Sequence, residues 1–221
     1  MNWLRRAGLG TAPAARPKEP APTAPEAPPS PPPNRVEGAA PGVAEMLGEE
    51  ERLTEAEVRA RSILDLGPAS GASLQVYRRF ARRVGFVDLF AEWTDGPAED
   101  PMEALPAPWE LPADRIFTWD TMDRLEDGEE RADLVRRLAG MVAPGGRVHL
   151  LVRSSESAPT RPLRFCLLDR DRMFYEPVGP PRPASQPIFP AEMETILEPF
   201  EVLRGFTLKG GLREYVARLP G

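Results

Sequence analysis

Short apolar runs alternate with amphipathic stretches through the middle of the chain. Four runs have the length and the flanking turns of buried strands, and they cover residues 62–66, 84–90, 115–118 and 147–152. Short apolar runs bounded by turn residues are typical of parallel strands that are covered on both faces. The pattern therefore predicts four strands of a parallel sheet.

Three helices are predicted around these strands. Thr54 and Glu57 have the spacing of a capping box, which predicts a short helix to about residue 60. A stripe of Leu74, Tyr77, Ala81 and Val84 predicts the second helix, whose outer face carries four arginines. The third helix is predicted over 129–142, where "APGG" provides the stop.

The C-terminal part has a different character. The segment "FPAEMETILEPF" predicts a short helix, and "FEVLRGFTL" and "LREYVARL", separated by "KGG", predict an antiparallel hairpin. Strands that alternate with helices build a mostly parallel sheet with right-handed crossovers. The predicted fold class is therefore α/β, Rossmann-like, with helices on both faces and a C-terminal antiparallel β-hairpin.

The N-terminal segment is dominated by proline and alanine, as in "TAPAARPKEPAPTAPEAPPSPPPNR". Such a segment buries little apolar surface and lacks regular backbone donors. We expect residues 1–44 to form a disordered tail with local polyproline II character, and residues 45–221 to form one folded domain. The tail is either a plain tether or, through "PPSPPP", a ligand for the aromatic groove of a protein partner.

Composition excludes several classes of site. The net charge of −6 argues against general nucleic-acid binding. Cys166 and His149 are the single cysteine and histidine, so a cysteine or histidine metal cluster is excluded, and His149 is expected to be structural. No stretch approaches the roughly 20 apolar residues of a membrane span. We therefore expect a cytoplasmic protein without bound metal.

The segment "ILDLGPASG" joins the first predicted strand directly to a glycine-containing turn. Gly67 and Gly71 remove side chains where backbone can pass close to a ligand. Asp65 ends the strand, and Asp88 lies 23 positions beyond it, near the end of the second predicted strand. A carboxylate about 20 residues after such a turn can accept both hydroxyls of a ribose.

These motifs, followed in order by "IFTWDTMDRL", "MVAPGGRVHLLV" and the closing hairpin, resemble the class I S-adenosylmethionine-dependent methyltransferases. The resemblance extends over about residues 54–219. It implies that Asp65 helps to hold the methionine amino end of S-adenosylmethionine, directly or through water, and that the turn from Gly67 to Gly71 passes beside the cofactor. It also implies that Asp88 binds the ribose, that Asp120 faces the methyl donor and the substrate, and that Trp119 forms a wall of the pocket.

The glycine turn departs from the family pattern. The usual turn is G-x-G-x-G, whereas Ala69 stands at the middle position here and Pro68 stiffens the turn. The segment between Asp88 and Arg115 is rich in proline, so we expect it to lack the family's further strand and the acidic residue that often contacts adenine there. Asp120 is the only candidate catalytic residue, and no base is identified, although positioning alone supplies much of the acceleration in some reactions.

Several alternatives remain open. Gly67 and Gly71 also suit a plain strand–helix corner, Asp88 a surface pair, and Asp120 the N-cap of a helical turn. A nicotinamide oxidoreductase fits the small residues at 67, 69 and 72 loosely. The main expectation is a methyltransferase of an unidentified small molecule or protein. The alternative is an inactive methyltransferase-like binding or scaffold module, which a cleft filled by Tyr77 or Trp119 would favour.

Overall fold

The computed structural model describes residues 35–48, 52–89, 105, 112–125, 127–156, 158, 161–179 and 186–221. The predicted tail, apart from its last ten residues, lies outside these ranges, as does most of the proline-rich segment after Asp88. The elements are, in chain order, β1 (Val36–Ala39), α1 (Pro41–Leu47), α2 (Glu55–Ala60), β2 (Ser62–Asp65), α3 (Gly71–Tyr77), β3 (Arg83–Phe86), β4 (Ala113–Phe117), α4 (Thr121–Arg124), α5 (Gly128–Met141), β5 (Val142–Arg153), β6 (Leu163–Asp169), β7 (Arg172–Pro177), α6 (Pro190–Ile196), β8 (Glu201–Thr207) and β9 (Leu212–Arg218).

The main sheet has six strands in the order β3-β2-β4-β5-β9-β8. The first four strands are parallel, β9 runs antiparallel to β5, and β8 completes the hairpin. The predicted parallel sheet and terminal hairpin are therefore confirmed. After β2 the chain forms β3, which pairs with one edge of β2, and then β4, which pairs with the other edge of β2. The strand order therefore reverses between β2 and β4, and ligands bind at such a switch point in open α/β sheets.

Element boundaries differ from the predictions in instructive ways. The second helix is shorter than its apolar stripe, because α3 ends at Tyr77 and continues as turns to Phe80. The second strand ends at Phe86, so Asp88 lies in the loop after it. The fourth strand is longer than expected, because β5 extends back through "APGG", where Gly145 has a positive φ.

A second sheet, with the order β1-β7-β6, was not predicted. It is antiparallel throughout, and its first strand precedes the predicted start of the folded domain. Helix α1 also begins before residue 45, with Pro41 in its first turn and Val43, Met46 and Leu47 buried. The predicted boundary at residue 45 therefore lies inside helix α1, and β1 precedes it.

The core occupies both faces of the main sheet. Helices α5 and α6 pack on one face, and α1, α3 and the small sheet pack on the other. Guanidinium groups secure the end of α1, where Arg115, Arg147 and Arg170 donate to its last carbonyls and to that of the following glycine. Cations at a helix C-terminus satisfy carbonyls that lack intrahelical partners. The positions of α5 and α6 on one face of the main sheet, and of α1 and α3 on the other, confirm the expected helices on both faces.

Within the described ranges, no helix is long and apolar enough to cross a membrane. The same residues contain no group of three or more His, Cys, Asp or Glu side chains that could hold a metal ion.

Candidate functional site

The candidate site lies at the carboxyl ends of β2 and β4. The backbone of Leu66 still pairs with Phe117 and that of Thr118 with His149, so both strands end at the same level. Four of the predicted site residues, Gly67, Asp88, Trp119 and Asp120, line one small cleft here. The structure therefore brings these four residues together at the switch point between β2 and β4.

Asp65 lies beneath this cleft and is only 3% exposed. Its Oδ1 accepts from the backbone N–H of Gly67 at 2.8 Å and from the indole N–H of Trp119 at 2.7 Å. Its Oδ2 accepts from the hydroxyl of Tyr77 at 2.7 Å. Both oxygens are thus engaged by donors of the protein itself, whereas the resemblance implied a contact with a cofactor.

Burial raises the pKa of Asp65 to about 6, although the three hydrogen bonds from Tyr77, Gly67 and Trp119 act in the opposite direction. Desolvation disfavours a charged carboxylate, while hydrogen bonds to the charged form favour it. Here desolvation prevails. The site therefore keeps an ionisable group at an energetic cost.

Trp119 fills the space in front of Asp65. Its ring stacks on Phe165 of β6, with centroids 5.1 Å apart and planes 7° from parallel, and meets His149 edge-on at 5.3 Å. Its φ of 50° is the one positive φ at a non-glycine residue in the described part of the chain. A bulky residue in the left-handed region is a genuine outlier, and such strain clusters at functional sites.

The three small residues of the glycine turn have different surroundings. A Cβ at Gly67 would lie 3.1 Å from Cδ1 of Trp119 and 3.2 Å from Oδ1 of Asp65. A Cβ at Gly71 would meet nothing within 4 Å, and Ala69 is exposed. Of these three positions, only residue 67 has neighbours so close that a side chain would be crowded, and the nearest of them is Trp119. Ala69 and Gly71 do not line the cleft.

Asp120 fixes the small sheet to the site. It occupies the N-cap position of α4, but its side chain makes no capping hydrogen bond. Its Oδ2 accepts from the backbone N–H of Leu163 at 2.9 Å, and its Oδ1 accepts from Arg124 at 2.9 Å. The candidate catalytic residue is therefore engaged in holding β6 over the cleft.

The remaining cavity measures only about 10 Å³. That is close to the space of one water molecule, whereas pockets for drug-sized ligands measure roughly 300–1,000 Å³. Among the described residues this cavity is therefore much smaller than S-adenosylmethionine, and the side chains of Trp119 and Phe165 form part of its lining. Of the two side chains named as candidate fillers, Trp119 fills the cleft and Tyr77 lies behind it.

A second buried polar pair lies behind Trp119. His149 Nε2 is 3.0 Å from Oε1 of Glu214, and Oε2 of Glu214 accepts from the backbone N–H of Gly42 at 2.7 Å. Both side chains are fully buried. Glu214 thus links His149 of the sheet to the first turn of α1, while Nδ1 of His149 is buried without a hydrogen-bond partner, so the expected structural histidine is only partly satisfied.

Sequence reasoning missed Phe165 and Glu214. Phe165 lies in "LRFCLLD", an alternating run that could have been interpreted as a strand, but nothing local shows that it meets Trp119. Glu214 is a charged residue within the predicted hairpin strand. Nothing in the local sequence shows that its side chain is buried. Both contacts join residues that are far apart in the chain.

The chain has the fold of class I S-adenosylmethionine-dependent methyltransferases. A methyltransferase structure from Mesorhizobium loti covers 80% of this chain and 96% of its own, with 16% identity and a TM-score of 0.52. N-methyltransferase NodS from Bradyrhizobium japonicum WM9 covers 82% and 98%, with 16% identity and a TM-score of 0.49. No protein-family model and no curated protein matches the chain. At these identities the similarity establishes the fold alone.

Proposed function

We propose that this chain is an S-adenosylmethionine-dependent methyltransferase that acts on a small molecule or a protein. The observation that carries the proposal is Asp65, a carboxylate buried at the switch point of a methyltransferase fold. Burial with a raised pKa and backbone strain at Trp119 are both unfavourable for folding. Proteins retain such features chiefly at functional sites.

The cofactor that this fold implies is S-adenosylmethionine, which supplies an electrophilic methyl group. In the proposed assignment, Asp65 accepts from its amino end, Gly67 lets the backbone approach it, and Asp88 accepts from its ribose. Asp120 faces the substrate side of the same cleft. These assignments require a conformation in which Trp119 no longer occupies the cleft, because the described one does not admit the cofactor.

The second candidate is an inactive methyltransferase-like module that binds a partner and is tethered by its proline-rich tail. The filled cleft favours it, because the indole of Trp119 has a matched acceptor in Asp65 and a matched stacking surface in Phe165. A cleft with such internal complementarity is already satisfied without a ligand.

Titration calorimetry of the full chain with S-adenosylmethionine and S-adenosylhomocysteine tests the proposal. We expect dissociation constants in the micromolar range, about −8 kcal/mol of binding free energy. Asp88→Ala should weaken binding at least tenfold, whereas Asp133→Ala, on the exposed side of α5, should leave it unchanged. No heat and no thermal shift at millimolar ligand would favour the inactive module instead.

The same sample also tests the nicotinamide alternative. We expect no change in the fluorescence of the reduced nicotinamide cofactor on mixing with the protein. Saturable enhancement of that fluorescence, without binding of S-adenosylhomocysteine, would replace the proposed cofactor.

A further inference from the structure

We infer that Trp119 is an autoinhibitory plug, whose indole holds the cofactor cleft shut and must swing out before ligand binds. The inference rests on the proposed function, since it concerns access to the same cleft. It assigns to Trp119 a gating role, beyond the passive wall that the fold resemblance implied.

The plug makes the contacts that a ligand would otherwise make. Its N–H donates to Oδ1 of Asp65, the carboxylate that the resemblance implies helps to hold the methionine amino end of the cofactor. Its ring covers the face of Phe165, with planes 7° from parallel. When the indole leaves, a buried carboxylate oxygen and an aromatic face become available. Both suit an amine-bearing ligand with an aromatic ring.

Gly67 lies directly against the indole of Trp119 and leaves no room there for a side chain. A Cβ at this position would lie 3.1 Å from Cδ1 and 3.4 Å from Nε1 of Trp119. The glycine that would let a cofactor approach the turn therefore lets the indole approach it instead. Plug and ligand compete for the same surface of the turn.

The backbone of Trp119 provides the hinge. Its left-handed φ of 50° is unfavourable by about 1–2 kcal/mol for a residue with a side chain. The carbonyl of Trp119 accepts from the N–H of Leu151 at 2.9 Å, which keeps the residue attached to β5. A change of φ to the extended region would relieve the strain and carry the indole away from Asp65. The side-chain contacts thus oppose a backbone that favours opening.

The small sheet supports the plug from the outside. Phe165 belongs to β6, and the first residue of β6, Leu163, is bound to Asp120, next to Trp119 in the chain. A movement of β6 would therefore remove Phe165 from the ring of Trp119 and also break the hydrogen bond between Leu163 and Asp120, so the indole would be held less firmly. This gives a second way to test the inference without changing Trp119.

The first experiment compares S-adenosylhomocysteine binding by the full-length parent, Trp119→Gly and Phe165→Ala. We expect Trp119→Gly to bind at least tenfold more tightly than the parent, and Phe165→Ala to bind more tightly than the parent. Indole at millimolar concentration should bind Trp119→Gly, raise its thermal midpoint and compete with S-adenosylhomocysteine. The parent should not respond to indole.

The second experiment leaves the plug intact, in case Trp119→Gly does not fold. In the variant Trp3→Phe/Trp93→Phe/Trp109→Phe, Trp119 is the single tryptophan. We expect S-adenosylhomocysteine to shift its emission to the red and to increase its quenching by acrylamide. Saturated binding without a change in emission or quenching would overturn the plug.

The outcomes separate the plug from the proposed function. Tight binding by the parent that weakens in Trp119→Gly would leave the methyltransferase standing and overturn the plug, since Trp119 would then be part of the bound site. If Trp119→Gly binds indole but neither protein binds S-adenosylhomocysteine, the proposed function fails and Trp119 is a core residue. Tighter binding by Trp119→Gly supports both.

Discussion

The indole N–H of Trp119 donates to Oδ1 of Asp65 at 2.7 Å, across 54 positions of sequence. This hydrogen bond joins the residue that ends β2 to the loop that follows β4, directly over the switch point of the sheet. Two residues that the resemblance assigns to a cofactor pocket therefore contact each other directly.

Stability should fall as pH rises through the titration of Asp65. Its folded pKa of about 6 exceeds the ordinary 3.8, so between these values the folded state binds more protons than the unfolded state. We expect the free energy of unfolding, from urea titrations, to decrease between pH 4 and 6.5. Asp65→Asn should flatten this decrease, because the amide retains an acceptor for Trp119 and Gly67 without carrying a charge.

Asp123 contributes with the same sign over a wider pH range, from its ordinary pKa of 3.8 to its folded pKa of about 7. Burial, followed by the neighbouring Asp120, raises its pKa to about 7, so its unfavourable effect grows up to that pH. The Asp65→Asn protein should therefore still lose stability between pH 4 and 7, but less steeply below pH 6 than the parent. An unchanged pH dependence below pH 6 in Asp65→Asn would contradict the assignment to Asp65.

Alanine at Gly67 and at Gly71 should have opposite effects. Gly67→Ala places a methyl group against Trp119 and Asp65, so we expect a loss of about 1–3 kcal/mol in unfolding free energy. Gly71→Ala meets open space in the first turn of α3, so it should be neutral or stabilise by up to about 1 kcal/mol.

The variants Gly67→Ala and Gly71→Ala also test whether the turn contacts the indole of Trp119. Tryptophan fluorescence should change in Gly67→Ala and not in Gly71→Ala, because only the first substitution crowds Trp119. Equal stability of the two variants would show that the turn and the indole are not in contact.

Removal of the Asp120 carboxylate should release the small sheet locally. Asp120→Ala leaves the N–H of Leu163 without its acceptor, which typically costs about 1–3 kcal/mol when the group is buried. We expect faster amide hydrogen exchange over Leu163–Asp169, measured by mass spectrometry. Asp133→Ala, which removes exposed ion pairs on α5, should leave exchange in β6 as in the parent.

Glu214→Ala should be among the most destabilising single changes in the chain. It leaves the N–H of Gly42 and the ring of His149 without their carboxylate partner in a fully buried position. We expect a loss of about 3–5 kcal/mol by urea unfolding. Glu201→Ala, which removes the exposed pair with Arg218, should change stability by less than about 1 kcal/mol.

The strands and helices of the main sheet could be predicted because their signals are local. Apolar runs, a capping box at Thr54 and a glycine turn between β8 and β9 each depend on a few neighbouring residues. The order of strands and helices then limited the topology strongly, because parallel strands need crossovers of one hand. The convergence of Gly67, Asp88, Trp119 and Asp120 followed from that topology alone.

The small sheet could not be predicted in the same way. Its strands β1 and β7 carry exposed or charged residues, and β1 follows directly on the proline-rich segment. Their pairing joins residues near 37 to residues near 174, so no local pattern encodes it. The ordered start of the domain was missed for the same reason.

The sequence by itself determined that a methyltransferase fold presents two carboxylates and a glycine turn at one edge of a parallel sheet. Only the tertiary structure decided what lies between them. The left-handed backbone of Trp119, the acceptor Asp65 and the stacking face of Phe165 come from three distant segments. Their contact depends on long-range packing, and that packing closes a cleft that the local sequence pattern describes as open.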